Sequence, residues 1–478
     1  MNSYHLPPGP KGQFLIGHFA PYARDPLGFL TRCAREYGDI VSLRVPGTRL
    51  YLLNHPRYIE QVLAETNQDF INHKGIRTSP ALRLFRRALL TIEGLDWHNQ
   101  RRLAFPAFRH DRIAEYASEM VACTETMLAD WRDGEVRDIH QDLISLNLEI
   151  VARTLFKSDL SRVIPAIAAA FDVLKEGFVT RSWLRSFGAV LPLPNGRRFE
   201  RAARDLDHII EQIIRKRRAN PPDDSSDLLS ILMSAHDDQG RRISNERLRR
   251  EVLTFLFTGH KAIGVALTWA CHLVARHPRV QEKLQQELRA TLGDRAVEAG
   301  DVKRLTYTTM VFQEALRLYP PGWAVGREAV RDCKIGGYDV PGGTQLVLSQ
   351  WVTHRDPRFF DRAEEFWPER WNGDCARRVP RYAYFPFGGG ARSCLGRAFA
   401  EMNAVLVLAT MAQRFEIIAV DDEPVELIPS FALIPRGGIR IKLTARACQP
   451  PTRWPTPNSL SVRSDRAAEV VSPGNAYR

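Results

Sequence analysis

The stretch from Ser244 to His277-Pro278 limits what this chain can fold into more than any other. Ser244 has the side chain of a helix N-cap, and His277-Pro278 ends the pattern because proline cannot continue a helix. At about 1.5 Å per residue, the helix between them is about 50 Å long. Its centre, Leu253 to Trp269, is apolar nearly all round, so it must cross the interior rather than lie on a surface. The chain has 478 residues and no Gly/Ser linker or internal repeat before residue 444, which suits one large domain able to bury a cofactor.

Helical patterns dominate from about residue 100 to 318, broken at Pro192-Leu193-Pro194 and at the polar loop Asn220 to Asp224. Strand signals are few. Residues 39–54 read as a hairpin turning at Pro46-Gly47, and short strands are expected around Gly336-Gly337-Tyr338 and over Thr344 to Leu348. A last helix, Leu395 to Phe415, is expected to show an apolar face of Ala398, Met402, Val405, Leu406 and Met411. The expected fold class is mainly α with small β-sheets (α+β). Residues 1–443 are read as one domain, and residues 444–478, with Pro450, Pro451, Pro455 and several serines, as a mobile tail.

The chemistry is concentrated at Phe387-Gly-Gly-Gly-Ala-Arg-Ser-Cys-Leu-Gly396, where one thiol sits in a glycine-lined turn that runs into an apolar helix. Free N–H groups and the positive end of the helix dipole stabilise sulfur as the anion. Gly388, Gly389, Gly390 and Gly396 let a large flat ligand approach the backbone, and Arg392 supplies a cation for an acidic group on it. A phosphate-cradling loop fits poorly, because no Lys-Ser or Lys-Thr follows. A buried structural cysteine remains the plain alternative. The pattern Phe387-x-x-Gly390-x-Arg392-x-Cys394-x-Gly396 resembles the signature of the cytochrome P450 family, in which a Cys thiolate holds haem.

The resemblance extends to four more segments in family order and covers residues 6 to about 442. Glu314-Ala315-Leu316-Arg317 and Phe366-Trp-Pro-Glu-Arg370-Trp371 are similar to the family's Glu-x-x-Arg helix and Pro-Glu-Arg segment. The resemblance implies that Glu314, Arg317 and Arg370 form a buried structural network bracing the cysteine turn. Taken alone, an i,i+3 pair is as readily a surface ion pair. Trp97 and Arg101, four apart on one helical face, and Arg327 are similar to the family's donors to the haem propionates; a solvated face is the alternative for either arginine. The resemblance therefore implies heme b (iron protoporphyrin IX), with Cys394 as metal ligand and Trp97, Arg101, Arg327, Phe387, Arg392, Cys394 and Gly396 around the cofactor. It also places haem between the long central helix and the cysteine-bearing turn.

In the long helix the family pattern Ala/Gly-Gly-x-Asp/Glu-Thr meets Thr258-Gly259-His260-Lys261-Ala262, so the acid has become Lys261 and the hydroxyl Ala262. Those two groups ordinarily organise the water that brings protons to dioxygen. A substrate hydroxyl, a shifted side chain such as Thr258 or His260, or a reaction that needs no dioxygen would each account for the change. Gly259 is expected to clear space where the helix passes the iron, and Lys261 to point away and pair with a carboxylate. The candidate catalytic residues are Cys394, Gly259 and Thr258.

Seven scattered cysteines with no Cys-x-x-Cys pair signal neither zinc nor a disulfide framework, and fit a reducing cytoplasm. The N-terminus runs directly into Leu6-Pro7-Pro8-Gly9-Pro10, so no membrane anchor is expected, as in soluble bacterial members of the family. The formal charge of +12 comes from dispersed arginines rather than a basic helix interleaved with aromatics, which speaks against nucleic acid and for an acidic protein partner. The resemblance implies a monooxygenase that puts one atom of dioxygen into a hydrophobic small molecule. Electrons would come from a ferredoxin or flavodoxin with its reductase, docking near Arg102, Arg392 and Arg397. The alternative is a non-oxygenating or peroxide-driven haem-thiolate enzyme. Substrate-lining segments are expected at about 70–92, 165–190 and 431–436, where Lys74, Arg77, Arg83, Arg86 and Arg87 would attract an acidic substrate or merely serve the surface.

Overall fold

The long helix runs from Asn245 to Arg276, with the Ser244 side chain accepting the Arg247 N–H at 3.2 Å and His277 as its C-cap. It is the fourth of six helices that position the site: α1 (Gly94–Ala104), α2 (Ile139–Leu155), α3 (Ile164–Val173), α4 (Asn245–Arg276), α5 (Thr306–Leu318) and α6 (Arg397–Arg414). This computed structural model describes residues 4–14, 16–45, 48–73, 84–160, 162–173, 196–222, 227–236, 240 and 242–446. The expected turn at Pro46-Gly47, the break at Pro192-Leu193-Pro194 and all but the first three residues of the expected tail lie outside them.

Helix α4 crosses the core against α2, and two glycines set the closeness of that crossing. A Cβ on Gly259 would lie 3.2 Å from Val151 Cγ2, and one on Gly264 would lie 2.8 Å from Ile144 Cδ1 and 3.1 Å from its Cα. Gly264 is thus required by helix packing, while a side chain at Gly259 would press on Val151, a constraint separate from the expected clearing of space for a ligand. Deeper along α4, Trp269 is fully buried, stacks on Tyr319 at 4.3 Å and donates from Nε1 to the Leu433 carbonyl at 2.7 Å. Burial of each such large apolar side chain contributes about 1.5–3 kcal/mol. Among the described residues α4 is the one helix long and apolar enough to cross a membrane, and most of its apolar window is buried inside the protein.

The expected hairpin is β1 (Ile40–Val45) and β2 (Thr48–Leu53), antiparallel with Ile40 opposite Leu53. Three more strands complete its sheet: β3 (Phe70–Asn72), β5 (Val325–Ala329) and β8 (Gln345–Leu348), in the order β1-β2-β8-β5-β3. The β3–β5 register sets Asn72 opposite Arg327, which places that guanidinium beside the site. A short strand missed in the helical half, β4 (Val136–Asp138), joins β9 (Phe415–Ala419) and β12 (Arg440–Ala445) in a second sheet. Between these, β6 (Cys333–Ile335) and β7 (Tyr338–Val340) form a hairpin, and β10 (Leu427–Pro429) pairs with β11 (Leu433–Pro435). The fold is mainly α with small sheets, as expected.

Helix α6 departs from its expected single apolar face. Ala398 and Met402 are only partly buried, whereas residues 403–411 are buried on every side, including Asn403 and Thr410. The helix is enclosed by its neighbours, so its pattern reads as continuously apolar rather than periodic. Asn403 is accommodated by donating to Asn147 Oδ1 at 2.7 Å.

Candidate active site

The cysteine turn is locked by its own backbone. Cys394 N–H donates to the Phe387 carbonyl at 2.9 Å, Ser393 N–H to Gly390 at 3.1 Å and Gly388 N–H to Phe385 at 2.9 Å. Gly390 has a φ of +62° and a Cβ there would fall 1.6 Å from the Leu63 carbonyl oxygen, while one on Gly389 would fall 2.3 Å from Tyr382 Cε1. These two glycines are demanded by protein packing. Gly388, at a φ of +70°, and Gly396, with only Phe108 at 3.6 Å, are the ones that leave room for a ligand.

Cys394 is exposed by surface area, yet burial raises its thiol above the ordinary range. Both hold when a side chain faces a gap enclosed by protein rather than the outer surface. The Gly396 N–H at the start of α6 and the positive charges of Arg101 and Arg397 act in the opposite direction and favour the thiolate. Arg397 also lies 5.6 Å over the Phe387 ring.

Near the thiol, cations outnumber anions. The Trp97 ring is buried, with Arg392 4.4 Å over it and Arg101 at 5.6 Å. Arg392 ion-pairs with Glu93 and donates to the Ile92 carbonyl at 3.2 Å. Arg327 is buried and donates to Asn72 Oδ1 at 3.4 Å and to the Gly326 carbonyl at 2.9 Å. Burial, then Arg392, pull the Arg327 guanidinium down to about 10, and Glu93 offsets part of this. Burial also lowers Arg101 and Arg392. Among the described residues these three coupled guanidiniums gather with one carboxylate, that of Glu93, an excess of two positive charges. Two propionates on one ligand would balance it, which is what haem carries. Among the described residues no group of three His, Cys, Asp or Glu side chains is gathered as for a bare metal ion. The residues present fit haem.

Behind the turn, Glu314 and Arg317 are completely buried and form a bidentate pair at 3.0 and 2.9 Å. Arg370 Nε reaches Glu314 at 3.3 Å, and Trp371 Nε1 and Trp367 N donate to it at 2.9 and 3.1 Å. Arg317 also donates to the His354 carbonyl at 2.8 Å, and His354 Nε2 accepts the Phe385 N–H at 3.0 Å. This is a continuous hydrogen-bonded path from the ion pair to the cysteine turn. His354 and Glu93, which complete the two clusters, carry no sequence signal; each acts through a partner dozens to hundreds of positions away.

On α4, the residues on either side of 258–262 are buried, but Thr258 and Gly259 are partly exposed and Ala262 is exposed. These three share one face, so a core helix has an accessible strip at its middle. Thr258 donates its hydroxyl to the Thr254 carbonyl at 2.8 Å. Lys261 points elsewhere, as expected, with its Nζ 3.4 Å from Asp172 Oδ1 on α3. His260 lies against Phe171 at 5.2 Å with Nδ1 2.5 Å from the Leu256 carbonyl, and burial pushes it down to about 4. It is a neutral core histidine, turned away from the open face.

The three expected lining segments meet, in their described parts, on one ring. Phe257 has Phe85 and Phe171 each at 5.1 Å and Phe431 at 4.9 Å. Such tilted aromatic pairs form a rigid apolar wall. Lys74, Arg77 and Arg83 lie outside the described residues, and Arg86 and Arg87 are exposed.

Comparison with known proteins agrees with this geometry. The family model described as cytochrome P450 matches residues 7–443. The chain is 35% identical to cyclooctatin synthase of Streptomyces melanosporofaciens over 89% of its length and 92% of that protein. It is 32% identical to cyclooctat-9-en-7-ol 5-monooxygenase of the same organism, covering 84% and 87%. It is 31% identical to pentalenene oxygenase of Streptomyces avermitilis, covering 90% and 96%. A solved structure of retinoic acid bound cyanobacterial CYP120A1 superposes with a TM-score of 0.83 at 27% identity, covering 93% of this chain and all of that one. The chain belongs to the cytochrome P450 family, and is a haem b oxidoreductase that incorporates oxygen.

Proposed function

We propose that this chain is a monooxygenase that inserts one oxygen atom of dioxygen into a hydrophobic small molecule, using electrons from a separate ferredoxin or flavodoxin and its reductase. The observation that carries the reading is the excess of two positive charges around Trp97 beside an enclosed thiol. Haem b bound through Cys394 supplies the redox chemistry that divides dioxygen between substrate and water. Cys394 is the metal ligand, while Trp97, Arg101, Arg327 and Arg392 hold the propionates. Phe387 and Gly396 shape the thiolate side, and Glu314, Arg317 and Arg370 keep the turn in place. The aromatic wall around Phe257 binds the substrate by apolar contact and excludes water. Relatives named for cyclooctat-9-en-7-ol and pentalenene support an alkene- or alkenol-like substrate with few polar groups. The six cysteines among the described residues are all unpaired, which supports a cytoplasmic protein.

Proton delivery is where this chain differs from its family. Lys261 is engaged by Asp172, and the exposed Ala262 has no hydroxyl to offer. Thr258, one turn earlier on the same open face, keeps its oxygen lone pairs free to hold a water, and a substrate hydroxyl can do the same. Ala262→Thr should therefore raise coupling of electron use to product with substrates lacking a hydroxyl and change little for the best substrate. Ala262 also motivates a second reading, a haem-thiolate enzyme that bypasses dioxygen. An assay under strict anaerobiosis separates them: a monooxygenase forms no product, and product formed without dioxygen or added peroxide would overturn the proposal.

The redox partner is proposed to be acidic, on the strength of the formal charge of +12 and the exposed Arg102 and Arg397. Arg392, expected to join them, is turned inward onto Trp97 and Glu93, because a buried indole face and a carboxylate hold it better than solvent does. Electron transfer from an acidic ferredoxin should slow as ionic strength rises, since the screening length shrinks to about 10 Å at 0.1 M salt. Stopped-flow reduction rates indifferent to salt would exclude electrostatic docking.

A further inference from the structure

Two adjacent side chains of α4 fasten the segment that precedes α1. Glu251 is completely buried, and its carboxyl takes the Leu89 N–H with both oxygens, Oε1 at 3.0 Å and Oε2 at 3.2 Å. Arg250 Nη1 donates to the Arg86 carbonyl at 2.9 Å, and its Nη2 pairs with Glu246. Between these anchors Arg87 has a φ of 62°, in the left-handed region that residues other than glycine rarely adopt.

The rest of the segment is bonded to itself. Ala88 N–H donates to the Phe85 carbonyl, Thr91 and Ile92 N–H to Ala88, and the Thr91 hydroxyl to Phe85. Residues 85–92 are therefore braced internally, and the Glu251–Arg250 clasp is their hydrogen-bonded hold on the helix. At one end the unit carries Phe85 onto Phe257; at the other, Ile92 and Glu93 receive Arg392.

No segment of the family resemblance calls for an acid at this point. Glu251 stands about three helical turns before Ala262, and lies on the same face of α4 as Phe255, Thr258 and Ala262. A carboxyl is a costly group to enclose, and burial raises Glu251 to about 8 against the pull of the Leu89 N–H and of Arg247. An apolar side chain would fill the core at lower cost but would release the Leu89 N–H.

We propose that Glu251, supported by Arg250, is a positioning residue that latches residues 85–92 to the long helix, so that Phe85 closes the aromatic wall, and that release of the Leu89 N–H opens this wall to bulky apolar ligands. The proposal rests on the reading of the Phe257 cluster as substrate cavity.

The test uses the haem-loaded full chain and its Glu251→Ala, Glu251→Leu and Glu251→Gln variants. Amide exchange across residues 84–93 should accelerate about tenfold in Glu251→Ala, the expected result of losing a buried acceptor. It should stay near wild type in Glu251→Gln, whose side-chain carbonyl still accepts. Soret titration and stopped flow should then show faster association of a long azole, 1-dodecylimidazole, in the alanine variant, with imidazole binding unchanged. If Glu251→Ala does not fold, Glu251→Leu fills the same volume without an acceptor and takes its place in both readings. Unchanged exchange in the variant lacking the acceptor overturns the latch. So does accelerated exchange with identical association of both azoles, because the segment would then be fastened without governing the cavity. A wild-type haem spectrum insensitive to both azoles would instead overturn the cavity reading itself, and the latch with it.

Discussion

Glu314→Ala should yield a chain that loses most of its bound haem and unfolds at markedly lower temperature. The Glu314 carboxylate receives Arg317 Nε and Nη2, Arg370 Nε, Trp367 N and Trp371 Nε1, all within 3.3 Å. Both arginines are almost entirely enclosed, so the alanine variant leaves two guanidiniums without a counter-charge in the core. Stranding one partner of a buried pair costs about 3–5 kcal/mol. An ordinary domain has only about 5–15 kcal/mol in total. The damage also spreads, because Arg317 holds the His354 carbonyl while His354 Nε2 holds the Phe385 N–H at the entry to the cysteine turn. Glu314→Gln, which keeps an acceptor oxygen but not the charge, should fall between the two. Haem content by absorbance and the calorimetric midpoint check this; a haem-replete alanine variant melting with wild type would show the network to be dispensable.

What the sequence revealed, and what it withheld, follow from the range of each interaction. The bounds of α4, the β1–β2 hairpin and the cysteine turn depend on neighbours a few residues away, such as the Ser244 cap and the Phe387–Cys394 bond, and such signals are legible in one sequence. The reasons for particular glycines were not legible. Gly259 and Gly264 answer to Val151 and Ile144 on another helix, and Gly390 to Leu63 on a segment far earlier in the chain. The same holds for charge. In the sequence Arg392 suits both a propionate donor and an exposed docking face, and only the position of Glu93 and Trp97 decides between surface and interior. Lys261, read against the family pattern as a lost acid, turns out to tie α4 to α3 through Asp172. The aromatic wall joins residues from three segments that share no motif, since any large apolar side chain can build such a wall.

Cys394→Ala should abolish the long-wavelength absorption that reduced, carbon monoxide-treated haem shows when a thiolate holds it, and with it dioxygen-dependent turnover. No other described cysteine is placed to substitute. Burial pushes Cys33 and Cys333 up to about 11 and Cys123 and Cys271 up to about 12, so all four are thiols at neutral pH, and Cys375 is exposed on the surface. Cys394 also experiences burial, but there the Gly396 N–H and the charges of Arg101 and Arg397 oppose it, and the remaining cost falls to a metal cation once one is bound. Of the arginine cluster at Trp97 only Arg101 is coupled to the thiol, while Arg392 is held by Glu93 and the indole ring and Arg327 by Asn72 and the Gly326 carbonyl. The alanine variant should therefore retain part of its haem through Arg101, Arg327 and Arg392 while losing the thiolate spectrum. Cys394→Ser should behave alike, with an oxygen in place of sulfur. Retention of the long-wavelength band in either variant would mean that a different group holds the iron, and loss of all haem from Cys394→Ala would mean that the arginines alone do not retain it.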